Sequence, residues 1–153
     1  MTTTFADYAA QQDARNTIQL NVTKWTLMLC DALKQNFIDY SIKSHKRCIE
    51  RGESIDYNNS CITDLKNGEC DYEFIIESGR KYHKIIMVID NGPNRMGSSR
   101  SCHAFVDKKT GSVLKSASWK SPAKGERYNL LNIEQREFLL QNADWSGSYL
   151  YAK

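Results

Sequence analysis

Proline is nearly missing from this chain of 153 residues: only Pro93 and Pro122 occur, which excludes a proline-rich linker or polyproline ligand. Long apolar runs are missing too. The longest aliphatic stretch, Ile85 to Ile89, is five residues, against the ~20 that a membrane-spanning helix needs. Met1 to Tyr8 has neither a basic segment nor an apolar one, so no secretory leader is expected. There is no Cys-x-x-Cys pair. The five cysteines (Cys30, Cys48, Cys61, Cys70 and Cys102) are an odd and scattered set, which argues for reduced thiols in a cytosol rather than a disulfide framework. A zinc site would want ligands in close pairs. His45, Cys48, Cys61 and Cys70 come nearest, at a spacing that matches no standard pattern. No metal and no cofactor are expected.

What the chain does have is an ordinary globular composition, 41% hydrophobic and 25% charged, over a length suited to one domain, residues 1–153. The net charge of +3 is unevenly placed. Residues 71–131 carry 11 basic and 6 acidic side chains, while the segments on either side are each at −1. A basic stretch inside a near-neutral chain points to an anionic partner, or simply to a solvated sheet face.

Periodicity orders the rest. Residues 1–15 show no period and read as a loose arm or a short helix. From residue 18, Ile18, Val22, Trp25, Leu29, Leu33, Phe37 and Tyr40 recur at steps of three and four, which predicts a helix over 18–40 with a core-facing stripe. Asn16 or Thr17 is placed to cap it. Residues 41–70 read as an irregular insertion with a short helix near 44–51, a stop at Gly52, and turns at Asn58–Ser60 and at Asn67–Gly68. Alternation then predicts strands at 71–77, 82–90, 102–107 and 112–118, the second a central one. The segment Asp107–Gly111 has the composition of a turn closed by a left-handed glycine. Asn132 and Gln135 fit a capping box opening a helix of about ten residues. Tyr149–Tyr151 is a short apolar end suited to an edge strand. The expected fold is α+β, an antiparallel sheet of four or five strands with one long N-terminal helix and a short C-terminal helix.

Three groups of residues carry possible chemistry. Gly92 and Gly97 follow the central strand at P-loop spacing, but Ser98 stands where the phosphate-binding lysine belongs and a strand, not a helix, follows. The nucleotide-hydrolysing reading fails there, leaving a basic hairpin loop with Arg95 and Arg100. Next, Lys115, Ala117 and Trp119 share a face if the chain stays extended, and Pro122 and Gly125 turn Lys120, Lys124 and Arg127 back toward them. Cations around a flat ring suit single-stranded nucleic acid or a nucleotide; alternatively Trp119 seals the end of the core. Finally, His83 and His103 fall on strands that can neighbour each other near Asp107, an acid–base set or a structural one. No nucleophile motif accompanies them, so the balance is against an enzyme.

Taken together, the runs Gly79–Ile86, Ser99–Gly111, Val113–Tyr128 and Ala143–Tyr151 resemble a family of small proteins encoded by tailed bacteriophages, including marine cyanophages, and by some other large DNA viruses. The resemblance covers residues 74–151 and brings no activity or catalytic residue with it. It implies a viral accessory protein acting in the host cytoplasm or associated with the virion. The ligand-binding set expected on this reading is Arg80, Lys81, Arg100, His103, Lys115, Trp119, Lys120, Lys124, Arg127 and Tyr128. Its partner is single-stranded nucleic acid or another phosphate-bearing ligand; the alternative is a viral or host protein on the same surface.

Overall fold

The computed structural model describes residues 4–90 and 98–151. Its first element, α1 (Phe5–Glu50), runs 46 residues, about 69 Å at 1.5 Å per residue. The Thr4 side chain caps it, accepting from the Asp7 N–H at 3.1 Å. Of the two readings of residues 1–15, a loose arm or a short helix, the described part from Phe5 onward is helix, though as the start of α1 and not a short one. The reason is composition: Ala6, Ala9, Ala10, Gln11, Gln12, Ala14 and Arg15 are strong helix formers. They show no apolar period because no core lies against them. Asn16 and Thr17 are interior, not caps; the Thr17 hydroxyl donates to the Asp13 carbonyl one turn back at 2.9 Å.

The short helix expected near 44–51 is the last part of α1. Gly52 does stop it, at φ +77°, with its N–H bonded to Ile49 and that of Glu53 to Cys48, the two bonds of a Schellman ending. A second helix, α2 (Ile55–Lys66), then packs back on α1. Asn58–Ser60 lies inside α2 rather than in a turn. The buried Asn58 amide donates to the Glu53 and Ser54 carbonyls and accepts from His45 Nδ1 at 2.7 Å, tying the two helices together. Gly68, at φ +84°, ends α2 as Gly52 ends α1.

Five strands follow: β1 (Tyr72–Ser78), β2 (Tyr82–Asp90), β3 (Ser98–Asp107), β4 (Ser112–Ser116) and β5 (Pro122–Asn129). They form one antiparallel sheet in the order β1-β2-β3-β4-β5. The fold is α+β. The expected Gly92–Gly97 hairpin loop lies outside the described residues. Gly111 closes the β3–β4 turn at φ +74°, its N–H on the Asp107 carbonyl. A third helix, α3 (Ile133–Asn142), starts from Asn132, whose side chain accepts from the Gln135 N–H. Gln135 does not return the bond; its Oε1 takes the Asn129 N–H instead, at 2.8 Å. Tyr149–Tyr151 is no edge strand. It belongs to a 3-10 turn, η1 (Ser148–Tyr151), which buries Tyr149 and Leu150, and the fifth strand is β5.

One face of the sheet holds the core. Val22, Leu29 and Leu33 of α1 are fully buried with Ile85, Ala104, Val106 and Val113 of the sheet and Leu139 of α3. Strands of 5 to 10 residues span only about 17–34 Å, so the sheet covers little more than the middle of α1. The expected stripe is buried accordingly. Its centre is inaccessible, Trp25 and Phe37 are half-buried, and Ile18 and Tyr40 at its ends are exposed. Trp25 lies under the Arg136 guanidinium at 3.9 Å, and Phe37 stacks on Tyr72 at 3.8 Å.

Truncating Leu29 to alanine is expected to cost ~2–5 kcal/mol in urea unfolding. Leu20→Ala, on the same helix but 71% exposed, is expected to stay within ~0.5 kcal/mol; equal losses would mean that the buried stripe is wrongly placed.

Candidate functional site

Among the described residues, no helix lies on the opposite face of the sheet. The register sets which side chains it presents. Ile85 pairs with Ala104 but Ile86 pairs with Cys102, so His103 is an extra residue in β3, a β-bulge. The bulge reverses the alternation of β3. Arg100, Cys102 and Phe105 point to the open face, while His103, Ala104 and Val106 point to the core. On β2 the open face takes Tyr82, Lys84, Ile86 and Val88, opposite Glu73, Ile75 and Glu77 of β1.

Ile86 and Phe105 are 0% and 2% exposed on this uncovered face. Over Phe105, long amphipathic side chains take the place of a second layer. The Tyr82 ring meets Phe105 edge-on at 5.7 Å, and Lys84 Nζ lies 5.8 Å from the Phe105 centroid. Trp119 comes in from the β4–β5 turn. Its ring centroid is 4.2 Å from Lys84 Nζ and 5.8 Å from the Arg100 guanidinium carbon, both within cation–π range. Trp119 is nevertheless 41% exposed. Its backbone is held by its own turn: Ser118 Oγ accepts from the N–H groups of Lys120 and Ser121, and Ala117 and Ser118 both donate to the Ser121 carbonyl. Arg100 also reaches Glu77 Oε2 at 3.3 Å, an exposed ion pair.

The ten residues expected to bind a ligand divide between the two faces. Trp119 and Arg100 meet on the open face. Arg80 and Lys81 are exposed beside it in the β1–β2 turn, with Lys81 Nζ 5.2 Å from the Tyr82 ring. Lys120 and Lys124 are exposed in the turn after β4 and at the start of β5. The other four sit on the core side, where they fasten η1. Lys115 Nζ is 4.0 Å from the Tyr151 ring. Arg127 Nε donates to the Leu150 carbonyl at 2.8 Å, the Tyr128 hydroxyl donates to the Tyr149 carbonyl at 3.1 Å, and His103 Nε2 meets the Tyr149 hydroxyl at 2.8 Å. Lys115 and Trp119 share no face because β4 stops at Ser116 and the chain turns at Ala117. Lys84 and Tyr82 were not in the expected set. Their signal was the alternation of Tyr82, Lys84 and Ile86 against His83 and Ile85, masked by the aliphatic run that marks the whole strand as central.

The histidines do not form an acid–base pair. Thr23 Oγ1 gives its proton to the Gln19 carbonyl, so it accepts from His83 Nε2, at 3.0 Å; His83 Nδ1 then accepts from Ser78 Oγ at 2.7 Å. Burial, with Lys108 adding to it, lowers the His83 pKa. Burial drives His103 further down, to about 4, against the pull of Asp144. Burial also pushes the Cys30 thiol up to about 12 and raises Cys70 and Cys102, so these thiols stay protonated at neutral pH. His45, Cys61 and Cys70 line a cleft of about 590 Å³ between α1, α2 and β1. Among the described residues, no three His, Cys, Asp or Glu side chains are arranged to hold a metal, and the Cys48 thiol accepts from Arg51 instead.

The profile of a family of unknown function, DUF7717, matches residues 5–152. The chain belongs to the DUF7717 family. No curated protein and no solved structure matches it. The match takes in the helical hairpin as well as the sheet, so for this DUF7717 chain α1 and α2 are part of the family's domain, beyond the 74–151 span of the phage resemblance. No described helix is long and apolar enough to cross a membrane.

A histidine whose folded pKa is depressed stabilises the fold above its unfolded value near 6.5 and loses that contribution as pH falls toward the folded value. Stability is therefore expected to drop between about pH 6.5 and 4, with His103 supplying up to about 3 kcal/mol of the change. Urea unfolding at pH 7.5 and 4.5 measures it. His103→Gln should flatten part of the dependence, and an unchanged pH profile would remove His103 as its source.

Proposed function

We propose that this protein binds single-stranded nucleic acid, without marked sequence preference, on the open face of its sheet. The observation that carries the reading is Trp119: a half-exposed indole pinned by its turn, with Lys84 and Arg100 against it. A flat ring takes any base by stacking, and cations beside it take the phosphates. Lys81, Lys120 and Lys124 are further exposed cations, in the β1–β2 turn, in the turn that carries Trp119 and at the start of β5. The strand must be single, because a paired base has no face to offer. The likeness to phage-encoded proteins supports a viral accessory role in an infected cell's cytoplasm, where such strands arise. A protein partner on the same face is the competing reading, and the exposed Ile75 at 41% favours it.

Fluorescence anisotropy with a labelled oligothymidine at two salt concentrations separates the two. Trp119→Ala is expected to lose ~1–3 kcal/mol of binding with the salt slope intact. Lys84→Ala with Arg100→Ala is expected to flatten the slope by about 1.4 units, since each phosphate contact on a single strand contributes roughly 0.7. No binding at low salt by the folded protein would discard the nucleic-acid reading in favour of the protein one.

Glu77 is the acid nearest this strip, so Glu77→Gln is expected to tighten binding by freeing Arg100 and removing a negative charge. Weaker binding by that variant would show that Glu77 positions Arg100 instead of competing for it.

A further inference from the structure

We infer that the open face reads the strand two bases at a time, with Tyr82 as a second stacking ring in fixed register with Trp119. This rests on the nucleic-acid reading above and adds the length and register of the ligand. Across the open face the side chains alternate in kind: Lys81 of the β1–β2 turn against Tyr82 at 5.2 Å, then Lys84 of β2, then Trp119 of the β4–β5 turn at 4.2 Å from it, then Arg100 of β3 at 5.8 Å from that ring. Three cations thus enclose two rings in turn. Tyr82 and Lys84 are two residues apart on one strand, about 7 Å. Arg100 pairs with Val88, but its guanidinium turns back to Trp119 and to Glu77, the cross-strand neighbour of Lys84. The Tyr82 and Trp119 rings are linked through Phe105 and Lys84 by steps of 5.7, 5.8 and 4.2 Å, an interval that accommodates two unstacked bases with a phosphate between them.

The third ring on the face has a different part. Phe105, 2% exposed, offers no surface to a base. It supports the strip from below, with the Tyr82 ring edge-on to it and Lys84 Nζ over it. The arrangement also fixes where the central phosphate goes. Lys84 is the cation between the two rings, and it makes no ion pair among the described residues. Arg100, at one end, is shared with Glu77. Lys81 makes none either, but Lys84 is the one of the two that lies against the Trp119 ring, at 4.2 Å. An acidic peptide would find the same charges but has no reason to match two rings at this interval.

The test titrates the full chain with thymidine monophosphate, the dinucleotide and the tetranucleotide, following the Trp119 indole and Tyr82 backbone N–H signals by NMR. The largest gain in affinity per nucleotide is expected between one and two. The mononucleotide should shift Trp119 chiefly, and the dinucleotide should shift both. Tyr82→Leu is expected to weaken dinucleotide and tetranucleotide binding at least fivefold while leaving the mononucleotide unaffected. Tyr82→Phe, which keeps the ring and its packing on Phe105, should bind as the parent does and so separates stacking from misfolding. A dinucleotide that binds no better than the mononucleotide, or a folded Tyr82→Leu variant with parental affinity for the tetranucleotide, would overturn the two-base register while leaving Trp119 binding in place. Absence of binding by an octanucleotide at low salt would instead remove the nucleic-acid reading itself.

Discussion

Burial of the sheet on one face only is the constraint from which the rest of this structure follows. Val22, Leu29 and Leu33 of α1 meet Ile85, Val106 and Val113, and the helix that supplies them is far longer than the strands it crosses. The middle of α1 is thereby committed to the core. Its first four turns project without a partner layer among the described residues, and its last turns are left for α2. Since α3 and η1 also close on the core side, no element among the described residues remains for the other face.

An uncovered sheet that still carries Ile86 and Phe105 must screen them by other means. Over Phe105 the screen is made from side chains with apolar stems and charged or polar tips, Lys84 and Tyr82, with Trp119 against Lys84. Burying Phe105 in this way stabilises the sheet by the ordinary apolar term. It also leaves the ammonium and the indole at the surface, side by side. The same contacts that dry the open face build its cation–aromatic strip, so a substitution there is felt in both stability and binding. Measuring the two together is the way to read it.

The C-terminal turn accounts for the basic residues that do not reach that strip. Arg127 and Lys115 are spent on the Leu150 carbonyl and the Tyr151 ring, and Tyr128 and His103 on Tyr149. Part of the excess charge of residues 71–131 is thus structural. The open face keeps Lys84, Arg100 and the turn lysines, and even there Glu77 offsets one of them.

The sequence by itself determined the α+β class, the centre of the long helix, the Gly52 stop, the turn at Gly68, four of the strands and the cap of α3. Each of these rests on local chemistry: a repeat of three and four, a left-handed glycine, a side chain two or three residues from its backbone partner. It also marked Trp119 and Arg100, because a basic stretch and an aromatic in it are visible in composition. Only the tertiary structure decided which face each residue joined. One bulged residue, His103, reverses the alternation of β3 and sends Phe105 out and Val106 in. The end of β4 at Ser116 sends Lys115 to the core side and Trp119 to the other. Lys84 and Tyr82 enter the site through cross-strand register. Alternation has a period of two, so a single extra residue exchanges the faces. Such a residue is held by pairing with distant strands, which no local pattern records.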